Sequence, residues 1–216
     1  MSIHRVAPLY APTDLALLFT VVGRGTKWLA QRKEGDVLDL LGPLGNGFEV
    51  HSQKLLLVAG GMGIAALSFL AEKAVADGRH VTLLSGAKTR DKVYPLDKLT
   101  PGILAVEIVT EDGSQGKEGM ATDILADFDH VVDLTAVDTD DLAGPDQIFA
   151  CGPVSMYEAM AGLDWLKGKS VQVSMEARMG CGFGGCYSCA IETRSGLRLV
   201  CKDGPVFELD HLIWEG

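Results

Sequence analysis

Four cysteines crowd into 21 residues near the end of the chain: Cys181, Cys186, Cys189 and Cys201, spaced C-x4-C-x2-C-x11-C. The first three reproduce the plant-type spacing in which thiolates of one loop surround a two-iron, two-sulfide cluster. Such a loop must turn tightly with backbone N–H groups aimed at sulfur, and Gly182, Gly184 and Gly185 permit those turns. Structural zinc is the competing use of four cysteines. Zinc ribbons and knuckles usually pair two C-x2-C units, however, and only one is present. The apolar run Leu15 to Phe19 is too short for a secretory signal, so thiols in a reducing compartment are expected rather than a disulfide framework.

The rest of the composition narrows the class. With 47% hydrophobic and 22% charged residues, 216 residues can bury a core and do not carry the signature of disorder. A net charge of −10 and a pI near 4.9 argue against binding a phosphate backbone, and no basic helix is visible. The longest uncharged run, Leu55 to Ala71, has 17 residues but is broken by Gly60, Gly61 and Gly63, so a buried strand, turn and helix are expected rather than a membrane span.

Before Leu55 the short β-like runs Leu15 to Val22, Gly23 to Thr26 and Val37 to Leu41, with the turn residues Gly42 to Gly47, predict small antiparallel strands. From Leu55 onward strands and helices alternate. Strand Leu55 to Ala59, helix Ile64 to Asp77 stopped by Gly78, and strand Val81 to Ser85 form a βαβ unit. Strands at Leu104 to Val109, Gln147 to Ala150 and Val171 to Ser174 continue the alternation, with helices at Thr122 to Phe128 and Val154 to Leu163. This order predicts an α/β fold with a doubly wound parallel sheet. One hairpin, Ala190 to Thr193 and Leu197 to Val200, lies inside the cysteine-rich end.

Two further features point to a ligand. Gly60-Gly61-Met62-Gly63 follows an apolar strand and opens a helix, the setting in which a dinucleotide pyrophosphate can approach backbone N–H groups. The tight strand-to-helix turn is the plainer use of the same glycines. Thr110 to Ser114, including Asp112, follows another strand and can line the same crevice. Cys151 ends a strand in Ala150-Cys151-Gly152-Pro153. It reads equally as a small buried hydrophobe and as a group facing the crevice.

Gly23-Arg24-Gly25-Thr26, then Gly42 to Phe48, the Gly60 turn, Cys151-Gly152-Pro153 and the cysteine run followed by Lys202 to Phe207 occur in an order that resembles one family. It is the electron-transfer subunit of NAD-linked, two-subunit dihydroorotate dehydrogenase, on the ferredoxin reductase-like scaffold. The resemblance implies an FAD-binding β-barrel part over residues 1–50, an NAD-binding domain over 51–170 and a [2Fe-2S] segment over 171–216. It implies that Ser2 and Ile3, with Leu18, Phe19 and Thr20, flank the flavin, and that Gly25 and Thr26 hold its phosphates. It places Gly60, Gly61 and Gly63 with the nicotinamide nucleotide, Cys151 and Gly152 near the nicotinamide, and the four clustered cysteines on iron; Asp112 is a cofactor-binding candidate only through the crevice position of its polar loop. Ser2 and Ile3 match the end of an Arg-Pro-x-Ser-Ile motif, so the chain is expected to start inside the flavin barrel, with its barrel edges unpaired and FAD held poorly. Thr20 stands where relatives often carry a basic residue.

The implied function is electron transfer from a separate FMN-bearing catalytic subunit, which oxidises dihydroorotate, through the cluster and FAD to NAD. The implied setting is a cytoplasmic heterotetramer of pyrimidine synthesis. Phe183, Tyr187 and Phe207 are candidates for the docking patch. No residue of this chain is expected to carry dihydroorotate chemistry. NAD is expected from the resemblance alone, since no acid at the end of the second strand decides it, and Ser85, Lys88 and Arg90 lie there. Rival readings are the related subunit of NADH-dependent ferredoxin:NADP oxidoreductases or sulfide dehydrogenases, which tend to carry aspartate where Cys181 stands, and an FAD-free iron-sulfur sensor or assembly module.

Overall fold

A computed structural model describes residues 1–10, 13–127 and 144–214. The apolar run after Lys54 becomes strand β3 (Lys54–Gly60), and its residues Leu55 to Ala59 are at most 2% exposed, as strands covered on both faces require. A single 3-10 turn, Gly61–Gly63, leads into helix α2 (Ile64–Ala76). Gly78 stops that helix at a φ of +75°, and Arg79 N–H closes back on the Ala74 carbonyl at 2.9 Å. Strand β4 (His80–Ala87) returns parallel to β3.

The parallel winding continues outward through β5 (Ala105–Thr110) and the two-residue β6 (Lys117–Glu118) to helix α3 (Ala121–Ala126). The predicted helix end at Phe128 lies outside the described residues. The chain then crosses to the other side of β3. Strand β7 (Gln147–Cys151) pairs with β3, helix α4 (Val154–Ala161) follows, and β8 (Ser170–Ser174) pairs with β7, all parallel. A hairpin of β9 (Ala190–Thr193) and β10 (Gly196–Leu199) stands beside the sheet. Strand β11 (Val206–Glu208) closes the sheet antiparallel to β8. The resulting order, β11-β8-β7-β3-β4-β5-β6, reverses its winding between β3 and β7. This is the expected α/β architecture, with its core on both faces of the sheet.

The first fifty residues differ from expectation. Among the described residues the expected small antiparallel strands reduce to one pair, β1 (Ser2–Ala7) and β2 (Asp14–Leu18), lying on α2. His4 Nδ1 reaches the Ala65 carbonyl at 3.3 Å and Arg5 Nε reaches Glu72 at 3.2 Å. Gly23 to Thr26, read as β-like, instead caps and begins helix α1 (Arg24–Ala30), because the Thr26 hydroxyl accepts the Val22 and Gly23 N–H groups at 2.9 and 3.1 Å. Val37 to Leu41 is not a strand: Val37, Leu40 and Leu41 are 87, 69 and 75% exposed, and alternation creates a strand only where a partner pairs with it.

Two buried glutamines fasten the segment that leads into β3. The Gln147 side chain, 1% exposed, accepts His51 N–H at 2.9 Å and donates to the Glu49 carbonyl at 2.8 Å. Gln172 accepts Glu49 N–H at 2.9 Å. Gln147→Leu would strand a donor and an acceptor together, so it should lower the unfolding free energy by about 2–4 kcal/mol. Denaturant unfolding with an unchanged slope would register this as a shift of midpoint alone.

Candidate functional site

A cleft of about 620 Å³ opens at the carboxyl ends of the central strands, where the winding reverses. That is where open α/β sheets bind ligands. Its floor is built from glycines with different reasons for being glycine. A Cβ on Gly63 would lie 1.6 Å from the Cys151 carbonyl oxygen, so the turn after β3 touches the end of β7 backbone to backbone. Gly60 and Gly152 approach each other so closely that a Cβ on either would strike Met156. Gly61 holds a φ of +52° and has open space where a Cβ would stand. Of the expected dinucleotide residues, Gly60, Gly61, Gly63 and Gly152 line the cleft together.

Cys151 does not. Its thiol is 3% exposed and packs in the apolar core with Leu57, Ala59 and Phe149 beneath the cleft wall, and burial, helped by the charge of Glu176, pushes its pKa up to about 11. The hydrophobe reading of the sequence therefore describes this side chain, and Gly152 forms the wall. Tyr157, fully buried, ties that wall to the next strand: its hydroxyl accepts Gly152 N–H at 2.8 Å and donates to the Ser174 carbonyl at 2.7 Å. Burial raises the Tyr157 pKa, which keeps the donor proton in place.

Asp112 lies at the end of β5, but its carboxylate accepts both the N–H and the hydroxyl of Ser114, at 3.0 and 2.6 Å, and those bonds hold its pKa down. The carboxylates on the cleft are Glu111 and Glu176, neither of which stood out in the sequence. Each follows the end of a parallel strand by one or two residues, β5 and β8 respectively. That position was the available signal. Lys88 lines the cleft beyond β4, whereas Ser85 is buried in the strand.

The cysteine loop begins five residues after Glu176. Cys189 and Cys201 are buried at 3 and 5% exposure, while Cys186 is exposed. The side chains fall into two neighbouring pairs, Cys181 with Cys186 and Cys189 with Cys201. Among the described residues no three His, Cys, Asp or Glu side chains converge tightly enough to share one metal ion. Two cysteine pairs fit a two-iron cluster, with two ligands for each iron, better than a single tetrahedral zinc. The glycines aim N–H groups at sulfur as that chemistry needs: Gly184 donates to Cys201 Sγ and Gly185 to Cys181 Sγ, both at 3.2 Å. The Ser188 hydroxyl, 3.1 Å from Cys186 Sγ, is the main cause that lowers the Cys186 pKa to about 6, the thiolate state a metal ligand requires. Tyr187 holds a φ of +59° between Cys186 and Cys189.

The expected flavin residues fall in two groups, one on the β1–β2 pair and the other at the start of α1. Ser2 and Ile3 pair with Leu18 and Leu17 across β1 and β2, Phe19 and Thr20 continue from β2, and Gly25 has open space above the first turn of α1. The Thr26 hydroxyl is spent on capping that helix.

Comparison with known proteins adds a third line of observation. Residues 176–213 match the family described as the iron-sulfur cluster binding domain of dihydroorotate dehydrogenase B. A protein of Bacillus cereus strain G9842, named dihydroorotate dehydrogenase B (NAD(+)), electron transfer subunit, is 37% identical over 93% of this chain and 74% of its own length. The protein of the same name from Bacillus anthracis is likewise 37% identical. Among solved structures, an NADH-dependent reduced ferredoxin-NADP oxidoreductase shares 30% identity at a TM-score of 0.73, over 91% of this chain and 67% of that one. A flavohemoglobin from Malassezia yamatoensis, at 17% identity and a TM-score of 0.52, shares the fold alone.

The buried thiol carries a pH signature. Because the native state raises the Cys151 pKa, it favours the protonated group, so its contribution is complete below the unfolded value near 9 and is lost as pH rises toward 11. Unfolding free energy should fall by about 2–3 kcal/mol over that window, and Cys151→Ala should flatten the slope in denaturant titrations at successive pH values.

Proposed function

Because the chain belongs to the family of electron transfer subunits of NAD-linked dihydroorotate dehydrogenase B, we propose that it carries electrons between a catalytic partner subunit and NAD by way of an iron-sulfur cluster and FAD. When bound, a nicotinamide exchanges a hydride, a two-iron cluster a single electron and a flavin either, so the three groups together join two-electron to one-electron chemistry. The chain contributes position. Cys181, Cys186, Cys189 and Cys201 hold the [2Fe-2S] cluster, with Gly184 and Gly185 N–H groups directed at sulfur. Gly60, Gly61 and Gly63 bring backbone to the dinucleotide pyrophosphate, and Gly152 presents a flat wall to the nicotinamide. Cys151 supports that wall as a neutral thiol, and Asp112 orders the neighbouring loop through Ser114. Ser2, Ile3, Leu18, Phe19, Thr20, Gly25 and Thr26 form the flavin side.

On this reading residues 1–50 serve the flavin, 51–170 the dinucleotide and 171–216 the cluster. The partner is an FMN-containing subunit that oxidises dihydroorotate, in a cytoplasmic heterotetramer of pyrimidine synthesis. Phe183 and Tyr187, 59 and 63% exposed beside the cysteines, suit a docking patch. Among the described residues no helix is long and apolar enough to cross a membrane.

The observation that carries the reading is a shared strand pair: β7 ends at the cleft wall, and β8, hydrogen-bonded beside it, leads through Glu176 into the cysteine loop. The similarity to the ferredoxin-NADP oxidoreductase favours a second reading as a subunit of that kind of enzyme. A cysteine at position 181 favours the first.

Anaerobic purification of the full chain, with iron, acid-labile sulfide and flavin assayed on one sample, tests the proposal. About two irons and two sulfides per chain are expected, with visible absorbance that Cys189→Ser removes. Zinc without sulfide would overturn it.

A further inference from the structure

The cleft has two wings on either side of the Gly60–Gly63 turn, and they differ in charge. One wing, at the ends of β7 and β8, holds Gly152 and Glu176, and Glu176 is the first residue of the stretch that matches the cluster-binding domain. The other wing, at the ends of β4 and β5, holds Lys88 and Glu111. If the dinucleotide lies across the turn as proposed above, its redox half must face the wing that leads to the cluster, and its adenosine half falls to the wing of Lys88 and Glu111. The inference therefore rests on the nucleotide reading of this cleft.

Glu111 is suited to the adenosine ribose by position and by freedom. It is the first residue beyond β5, and its N–H donates to the Ala87 carbonyl at 3.1 Å, which fixes its backbone against the end of β4. Its carboxylate is exposed and, among the described residues, engages no hydrogen bond or ion pair. Asp112, the neighbouring acid, is unavailable, since its carboxylate is committed to Ser114, whose hydroxyl also accepts Arg90 N–H at 2.8 Å. A free carboxylate beside a ribose accepts hydrogen bonds from its hydroxyls and repels a 2′-phosphate. The cations work the other way. Lys88 lines the same wing and has no carboxylate partner among the described residues, Arg90 follows two residues later, and both would attract a 2′-phosphate.

We infer that Glu111 is the residue that makes this chain select the non-phosphorylated dinucleotide, and that Lys88 beside it leaves the cleft one substitution away from accepting a 2′-phosphate. The selectivity belongs to the third strand of the winding, β5, and not to the second, β4, whose end carries no acid.

Calorimetric titration of the full chain with ADP-ribose and with 2′-phospho-ADP-ribose separates the possibilities, because these ligands lack the nicotinamide and report binding without turnover. The wild-type chain should bind ADP-ribose at least about tenfold more tightly. Glu111→Gln should close that gap by about tenfold or more, weakening ADP-ribose while tightening its 2′-phosphorylated form, and adding Lys88→Gln should cancel the second gain. Lys88→Glu in the otherwise native chain should widen the gap. Both side chains are exposed, so the thermal midpoints of these variants should match the wild type. Equal affinities in the wild type, or an unchanged ratio in Glu111→Gln with ADP-ribose still bound, would overturn the assignment of Glu111. Failure of the wild type to bind either compound would instead remove the nucleotide reading of the cleft, and the inference with it.

Discussion

The contact on which the molecule depends is the meeting of Gly63 with the Cys151 carbonyl. A sheet that winds outward from its first strand in one direction, then crosses over and winds in the other, leaves a gap between the two halves at the carboxyl ends of its strands. Here that gap is closed at its base by backbone against backbone, with no room for even a methyl group. Everything above the contact inherits its position. Gly60 and Gly152 come within reach of one sulfur atom of Met156, α2 and α4 leave the ends of β3 and β7 to pack on opposite faces of the sheet, and the cleft acquires a floor built largely of glycine backbone. Gly60, Gly61 and Gly63 thus answer three separate demands: close approach to Gly152, a left-handed turn, and contact with the Cys151 carbonyl.

Beneath that floor the groups that could ionise are kept neutral. The Cys151 thiol and the Tyr157 hydroxyl lie in the interior, and burial drives both pKa values upward, with the nearby Glu176 carboxylate adding to each. A thiolate or phenolate there would be an unpaired charge in a medium of low dielectric constant. It would also stand directly under the floor of the cleft. The negative charge of the cleft is carried on its two lips, at Glu111 and Glu176, where solvent reaches it.

Much of this was legible in the sequence, for identifiable reasons. Strands covered on both faces read as unbroken apolar runs, so β3, β4, β7 and β8 were placed within one or two residues, and Gly78 marked the end of α2 because a left-handed residue needs glycine. The cysteine loop was visible because spacing alone constrains a loop that must surround a cluster. What escaped notice depends on tertiary partners. Strands of two or three residues, such as β6 and β11, carry no periodic signal. Val37 to Leu41 has the composition of a strand without a neighbour to pair with, and Gly23 to Thr26 is too short to reveal that it begins a helix. The commitment of the Asp112 carboxylate to Ser114 depends on a turn geometry that composition does not show, and choosing between the two readings of Cys151 required knowing which way the strand faces.

Electron transfer imposes a requirement on distance that the fold meets by connectivity. The cysteine segment is attached to the sheet at both ends, since β8 precedes it and β11, paired with β8, follows it. It is also held from the side. Asn46 N–H donates to the Gly204 carbonyl at 2.6 Å and the Asn46 amide donates to the Asp203 carbonyl at 3.0 Å, while the Asp203 carboxylate accepts Leu199 N–H at 2.7 Å and so closes the turn that contains Cys201. Residues from the first fifty positions therefore grip the cysteine segment directly. Between Glu176 on the cleft and Cys181 the chain has only five residues of reach, at most about 18 Å when fully extended. Covalent geometry thus keeps the backbone of Cys181 within that span of the backbone of Glu176 at the edge of the cleft. The hydrogen bonds of Asn46 and Asp203 fasten the other end of the segment, next to Cys201.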